Sequence, residues 1–295
     1  MKQGMDHKQQ NKQVISRVDF SEEELAKQLK VDGLLRWGSL AILGGVFVWF
    51  LLFGPSGQGE NGGSGFEGSG LLMVLLIVGW FMLNSVNART GRELGQISGL
   101  VDRDPGRVMV WAGMALKRKP LLKWVRLMIY HRLAMVRHRQ GHYVESAAIC
   151  RGVLKHGLGP AEGSRGHLLL IWAEASIELR DMTGAYEALR QLHGMRLSLL
   201  EGLQRLCLQI RYEVIVGNDA AAVGNLDNKL EMLELLPAAQ CGVVHRLLAV
   251  AAERIGEAEM AEYLNKRARL LCTEKQLEGL GMSVVNRPLS REASL

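Results

Sequence analysis

Leu247 to Arg269 reads LLAVAAERIGEAEMAEYLNKRAR. Two runs of helix-forming residues, dominated by Ala, Leu and Glu, meet at one glycine, Gly256. Glycine takes the left-handed backbone that ends a helix without steric cost, so the segment predicts a helix, a tight turn and a second helix. Ala249 stands seven residues before that glycine, Ala261 five after and Ala268 twelve after. Small side chains at those offsets let the paired helices, and the next pair, approach closely.

The offsets recur upstream. One copy is Ala134, Gly141, Ser146 and Val153, with Tyr143 two past the glycine and Tyr130 opening the first helix. Another is Trp172, Ser176, Thr183 and Ala188, with Gly184 displaced by one. The least regular is Ile210, Gly217, Ala222 and Lys229, where a large Ile210 takes a small position. Apolar periodicity predicts helices near 121–139, 143–156, 166–181, 184–195, 198–216, 219–235, 239–255 and 258–272. Gly141, Gly184, Gly217 and Gly256 fall 33 to 43 residues apart, a period characteristic of stacked helical repeats.

On these residues the stretch from about 120 to 272 resembles the tetratricopeptide-repeat family. It departs from the family in irregular spacing and in the proline that usually ends each pair, for which Pro160 and Pro237 are approximate counterparts. The resemblance implies a groove lined by the first helix of each pair and used to bind peptides or other proteins. It makes Arg126, Arg137, Arg211 and Arg254, polar positions on first helices, the expected partner-binding residues, since a guanidinium fork can clamp carboxylates. Residues 104–118, ahead of Pro120, are expected to form a capping helix. The helical pattern ends at Cys272, and 283–295 read as a tail.

Two apolar blocks precede this domain. From Leu34 to Phe53 the only charge is Arg36, at the edge. The second block runs from about Leu71 to Val86. Each supplies roughly 17–20 residues, enough to cross a hydrocarbon layer of about 30 Å at about 1.5 Å per residue. The first block lies too deep to be a secretion signal. It follows a helix start marked by Ser21 and Glu24, a capping box, with Phe20 able to staple onto Leu25. Ala41 and Gly45 form a small-residue pair suited to close helix packing within the hairpin.

The loop 54–70 contains no Lys or Arg, whereas six precede Arg36 and Arg89, Arg92, Arg103 and Arg107 follow the second block. Positive flanks remain cytoplasmic, so both termini are expected there, at a bacterial inner membrane. Two Gly-x-Gly-x-x-Gly matches in that loop, at 57–62 and 63–68, have no leading strand and read as linker rather than nucleotide site.

The expected fold class is therefore all-α: a two-helix transmembrane hairpin followed by an α-solenoid of about four tetratricopeptide-like pairs. Its boundaries are 1–33 for a cytoplasmic segment with a short amphipathic helix, 34–88 for the hairpin, 99–272 for the repeats and 273–295 for the tail.

Charge is uneven. Residues 88–159 carry fourteen Lys/Arg against four Asp/Glu, about +10, whereas 160–235 carry seven against eleven, about −4. Basic residues crowd next to the second block, which suits anionic lipid better than nucleic acid, for which no binding module is visible. The stretch from Lys117 to His142 has two readings: a membrane-surface helix, or the first helix of the first pair, which the register of Ala134 and Gly141 favours.

Cys150, Cys207, Cys241 and Cys272 are widely spaced in apolar stretches and read as small buried hydrophobes. His138 and His142 have a metal-like spacing but span the turn glycine without a third ligand. No hydrolase, metalloprotease or phosphate-loop motif occurs. The expectation is a non-enzymatic membrane-anchored adaptor binding a protein partner, with no cofactor and no metal. The alternative is an accessory protein of a biosynthetic pathway, handling a cofactor or assisting an enzyme. The layout is similar to that of inner-membrane accessory proteins linked to haem biosynthesis.

Overall fold

The computed structural model describes residues 88–97, 99–101, 103–118 and 122–273, with nine isolated positions between 38 and 85. Everything described is helix or connecting turn, with no strand among the described residues, so the chain is all-α there. The two apolar blocks fall outside the described residues apart from those nine positions, all of which are helical. The 1–33 segment, the Gly-rich loop and the tail after Thr273 also lie outside them. Among the described residues no helix is long and apolar enough to cross a membrane. The chain divides into two compact units, Met1–Gly163 and Ser164–Leu295.

In the first unit a helical stretch over 88–97 leads into α1 (Pro105–Lys117), α2 (Lys123–Arg139) and α3 (Tyr143–Lys155). Helix α1 is the expected capping helix. It starts where a helix should: Asp104 accepts from the Arg107 N–H at 3.0 Å, and Pro105 occupies the first turn, where its missing N–H costs nothing. Thr90, Leu94, Ile97 and Val101 are buried along one face at helical spacing. Between Lys117 and His142, Val125, Leu127, Ile129, Leu133 and Val136 form core, so this stretch is the first helix of a pair.

The second unit contains α4 (Arg165–Glu178), α5 (Met182–His193), α6 (Leu199–Val216), α7 (Asp219–Val223), α8 (Leu226–Leu233), α9 (Ala238–Ile255) and α10 (Ala258–Leu271). A capping box opens α6: the Ser198 N–H donates to Glu201 at 3.0 Å and the Glu201 N–H to Ser198 Oγ at 3.4 Å.

Four helix hairpins share one turn. The left-handed residue is Gly141, Arg180, Gly217 or Gly256, spaced 39, 37 and 39 residues apart. In each, the next residue's N–H reaches back over the helix end: His142 to Arg137 O at 2.9 Å, Asp181 to Ser176 O at 2.9 Å, Asn218 to Glu213 O at 2.8 Å and Glu257 to Ala252 O at 3.0 Å. That six-to-one bond absorbs an orphan carbonyl, and the same residue then N-caps the following helix. Seven before each turn stand Ala134, Ala173, Ile210 and Ala249; five after stand Ser146, Ala185, Ala222 and Ala261. All eight are buried. In the first hairpin Ser146 Oγ also donates across to Ala134 O at 3.0 Å.

Two expectations need correction. The second hairpin turns at Arg180, with φ +62°, not near Gly184. Its register is thus Ala173, Ala185 and Leu192 rather than Trp172, Ser176, Thr183 and Ala188. Gly184 lies inside α5, where an added Cβ would overlap the Asp181 carboxylate and stand 2.9 Å from Ser176 Oγ. It serves close approach, not reversal. The helix expected over 219–235 is also two helices, parted at Gly224 and Asn225, the latter at φ +53°. Lys229 closes the break by donating from Nζ to Ala221 O at 2.8 Å and Ala222 O at 2.7 Å, carbonyls left open where α7 ends.

Candidate partner-binding surface

The four arginines expected in a groove sit at first-helix positions, and each is engaged within its own unit or buried. Arg137, on α2, forms an ion pair with Glu145 of α3 at 2.8 Å. Arg211, on α6, donates to Glu178 at the end of α4 at 2.7 Å, with both side chains largely covered. Arg254, on α9, donates to Val214 O at 2.9 Å and to Asp219 Oδ1 at 3.4 Å, joining α9 to the α6–α7 turn. Arg126 is buried in α2, where burial pushes its guanidinium down, opposed by the nearby Tyr130. Three of the four are struts between helices.

Exposed apolar side chains lie elsewhere in the second unit. Tyr186 on α5 is 56% exposed, and its ring centroid is 6.4 Å from that of Tyr212 on α6. Leu199 and Leu200, in the first turn of α6, are 66% and 62% exposed. Tyr186 thus lies beside the far end of α6, and the leucine pair forms a separate exposed apolar patch at its head. One sequence signal points to it: an apolar doublet directly after the Ser198 cap, where the first turn of a helix ordinarily carries polar or acidic residues.

A shallow cleft of about 670 Å³ also lies along α9 and α10, lined by Glu253, Glu262, Asn265, Lys266, Arg269 and Leu270. Asn265 is fixed there, donating to Glu253 Oε1 at 2.9 Å and accepting from Arg246. Its lining mixes both charge signs and contains no serine, threonine, cysteine or histidine.

Three of the thiols are poor nucleophiles. Burial raises Cys150 and Cys241 and pushes Cys207 up to about 12, so at neutral pH they stay protonated. His245 is fully buried in α9. Its Nδ1 lies 2.8 Å from Cys241 O, which can only accept, so the proton sits on Nδ1, while Nε2 has no partner. Burial lowers its pKa, with the Cys241 carbonyl opposing and Arg267 and Glu234 acting from outside. His142 caps α3, and the His138 ring packs edge-on against Tyr143 at 5.3 Å. Among the described residues no group of three or more His, Cys, Asp or Glu is placed to hold a metal ion.

A contact outside the expected surface organises the first unit. Glu93 accepts from Trp111 Nε1 at 3.0 Å, Arg118 at 2.9 Å and Arg89 at 3.1 Å. The Trp111 bond is the main reason its carboxyl is held below the usual range. These bonds fasten the 88–97 helix to α1. Only the Arg89–Glu93 pair, four apart, was visible in the sequence.

Compared with known proteins, the chain matches no family model, no curated protein and no solved structure.

Proposed function

We propose that the chain is a membrane-anchored, non-catalytic adaptor whose helix hairpins form a tetratricopeptide-like solenoid that holds a protein partner at the cytoplasmic face of an inner membrane. The observation that carries this reading is the recurring hairpin: the same left-handed turn, the same back-bond and the same buried small residues at a spacing of 37 to 39 residues. Stacked hairpins of this kind create extended surfaces rather than enclosed reaction chambers. The two uncharged blocks at 34–53 and 71–86, and the basic residues beyond the second, support the anchor and its orientation.

The partner is expected on the exposed apolar side chains of α5 and α6. Tyr186, Leu199 and Leu200 offer the aromatic and aliphatic area that interface centres use, and Arg211 and Arg254 tie α6 to α4, α7 and α9. A photo-crosslinking residue placed at Tyr186 or Leu200 of the full chain, in membranes, tests this. A discrete crosslinked protein, absent when the residue is placed at Val144, is the expected result. A chain that crosslinks nothing and purifies with a stoichiometric chromophore or metal would overturn it in favour of a cofactor-handling role.

A further inference from the structure

We infer that the first unit rests on the bilayer through a headgroup-level cluster, Arg89, Arg118 and Trp124, with Lys117 next to Arg118, that binds anionic lipid. The inference rests on the membrane anchor proposed above and adds to it where the helical domain sits and which lipids it selects.

The geometry begins at the second apolar block. Ser85 is helical, and so are residues 88–97. Arg89 stands three residues beyond Val86, so chain length alone keeps it within about 11 Å of the end of the apolar run. The polar layer on each side of a bilayer is roughly 5–8 Å deep. The long Arg89 side chain is therefore within reach of the phosphates. Arg118 is drawn to the same level because Glu93 accepts from both, at 3.1 and 2.9 Å. That carboxylate also takes the Trp111 N–H, so the acidic group here is turned onto its own donors while the two guanidiniums keep donors to spare.

Trp124 completes the cluster. A Cβ on Gly91 would stand 3.7 Å from its ring, which places the indole directly against the 88–97 helix, and it remains 37% exposed. An indole more than a third exposed near a bilayer surface is the arrangement that membrane-interface belts favour. Lys117, next to Arg118 at the end of α1, is exposed, whereas Arg126 and Arg137 of α2 are buried. The lipid-facing part of the basic stretch is thus its beginning, at Lys117 and Arg118, not the interior of α2. Cytoplasmic leaflets carry the complementary charge.

The test uses the full chain in nanodiscs of zwitterionic lipid alone or with about one-third anionic lipid. Lysine acylation is followed by mass spectrometry, with exposed Lys266 on α10 as the internal reference. Lys117 is expected to react about fivefold more slowly in anionic discs at low salt, the difference vanishing at high salt, while Lys266 does not change. Equal Lys117 rates in the two discs overturn the inference and leave the anchor standing. Failure of the chain to enter either disc overturns the anchor and this inference together. Protection of Lys117 in zwitterionic discs by added RNA, but not by anionic lipid, would reassign the surface to nucleic acid.

Discussion

Two glycine-to-alanine changes in neighbouring helices should shift stability in opposite directions. Gly202 lies inside α6, and a Cβ built there meets nothing within 4 Å. Gly202→Ala gains helix propensity and should stabilise by about 0.5–1 kcal/mol. Gly184 is also helical, so Gly184→Ala makes the same gain of about 1 kcal/mol. Its Cβ would, however, fall on the Asp181 carboxylate, which caps α5 through the Gly184 N–H at 2.9 Å, and would press on buried Ser176 Oγ at 2.9 Å. Displacing the cap costs about 1 kcal/mol, and overpacking against α4 costs about 1–3 kcal/mol. The net is a loss of about 1–3 kcal/mol, or roughly 4–8 °C in Tm for a 2 kcal/mol change in a unit of this size. The assay is thermal unfolding of the detergent-solubilised full chain by circular dichroism, with amide exchange across α5 as the local reading. If Gly184→Ala melts at or above the parent temperature, or Gly202→Ala falls as far, the corrected register of the second hairpin is wrong.

Three further outcomes follow from buried contacts. His245 has its folded pKa depressed by burial below the ordinary 6.5, so the unfolded chain takes up a proton first and stability falls as pH drops below about 6.5. His245→Gln should flatten that decline by up to about 1.4 kcal/mol per pH unit, read from urea midpoints at pH 7.5 and 5.5. Glu93→Gln removes the charge that gathers Trp111, Arg118 and Arg89 and should weaken docking of the 88–97 helix by about 1–3 kcal/mol, measured as faster amide exchange there with α9 unchanged. Because the Glu93 carboxyl is held low, its contribution is present above about 4.5 and lost only as pH falls through the lower folded value. For Arg211 and Glu178, a double-mutant cycle with Gln at both positions should give a coupling of about 1–3 kcal/mol, between the surface and fully buried ranges.

Helix ends were legible where one residue type has one physical use. Gly141, Gly217 and Gly256 each sit at positive φ, as their position after an apolar run implies. Asp104–Pro105 and Ser198–Glu201 announce helix starts in sequence and provide them in the fold. The second turn was not legible because Arg180 takes a conformation that arginine seldom adopts, while a real glycine, Gly184, lay four residues on for a different reason. The break inside 219–235 was hidden similarly. Gly224–Asn225 is an ordinary turn signal, but the apolar pattern continues through it, and only the long reach of Lys229 to the open carbonyls shows how the interruption is tolerated.

The arginines show why polar positions on a first helix do not identify a groove. Arg137 and Arg254 stand four and two residues before their turns, in the part of the helix where carbonyls lack intrahelical donors and the dipole favours cations, and Arg211 stands one turn earlier in its helix. A long cationic side chain there can swing toward solvent or fold back onto a neighbour, and the choice depends on whether a carboxylate stands within reach on another helix. Glu145 lies on the next helix, Asp219 just beyond the following turn, and Glu178 thirty-three residues before its arginine; none of these pairings has a local signature. The same reasoning makes the exposed apolar residues the better guide to a partner. A cation is solvated at little cost wherever it points, whereas Leu199 and Leu200 gain nothing from water, so their exposure at the head of a well-capped helix is the feature of the second unit that still calls for a covering surface.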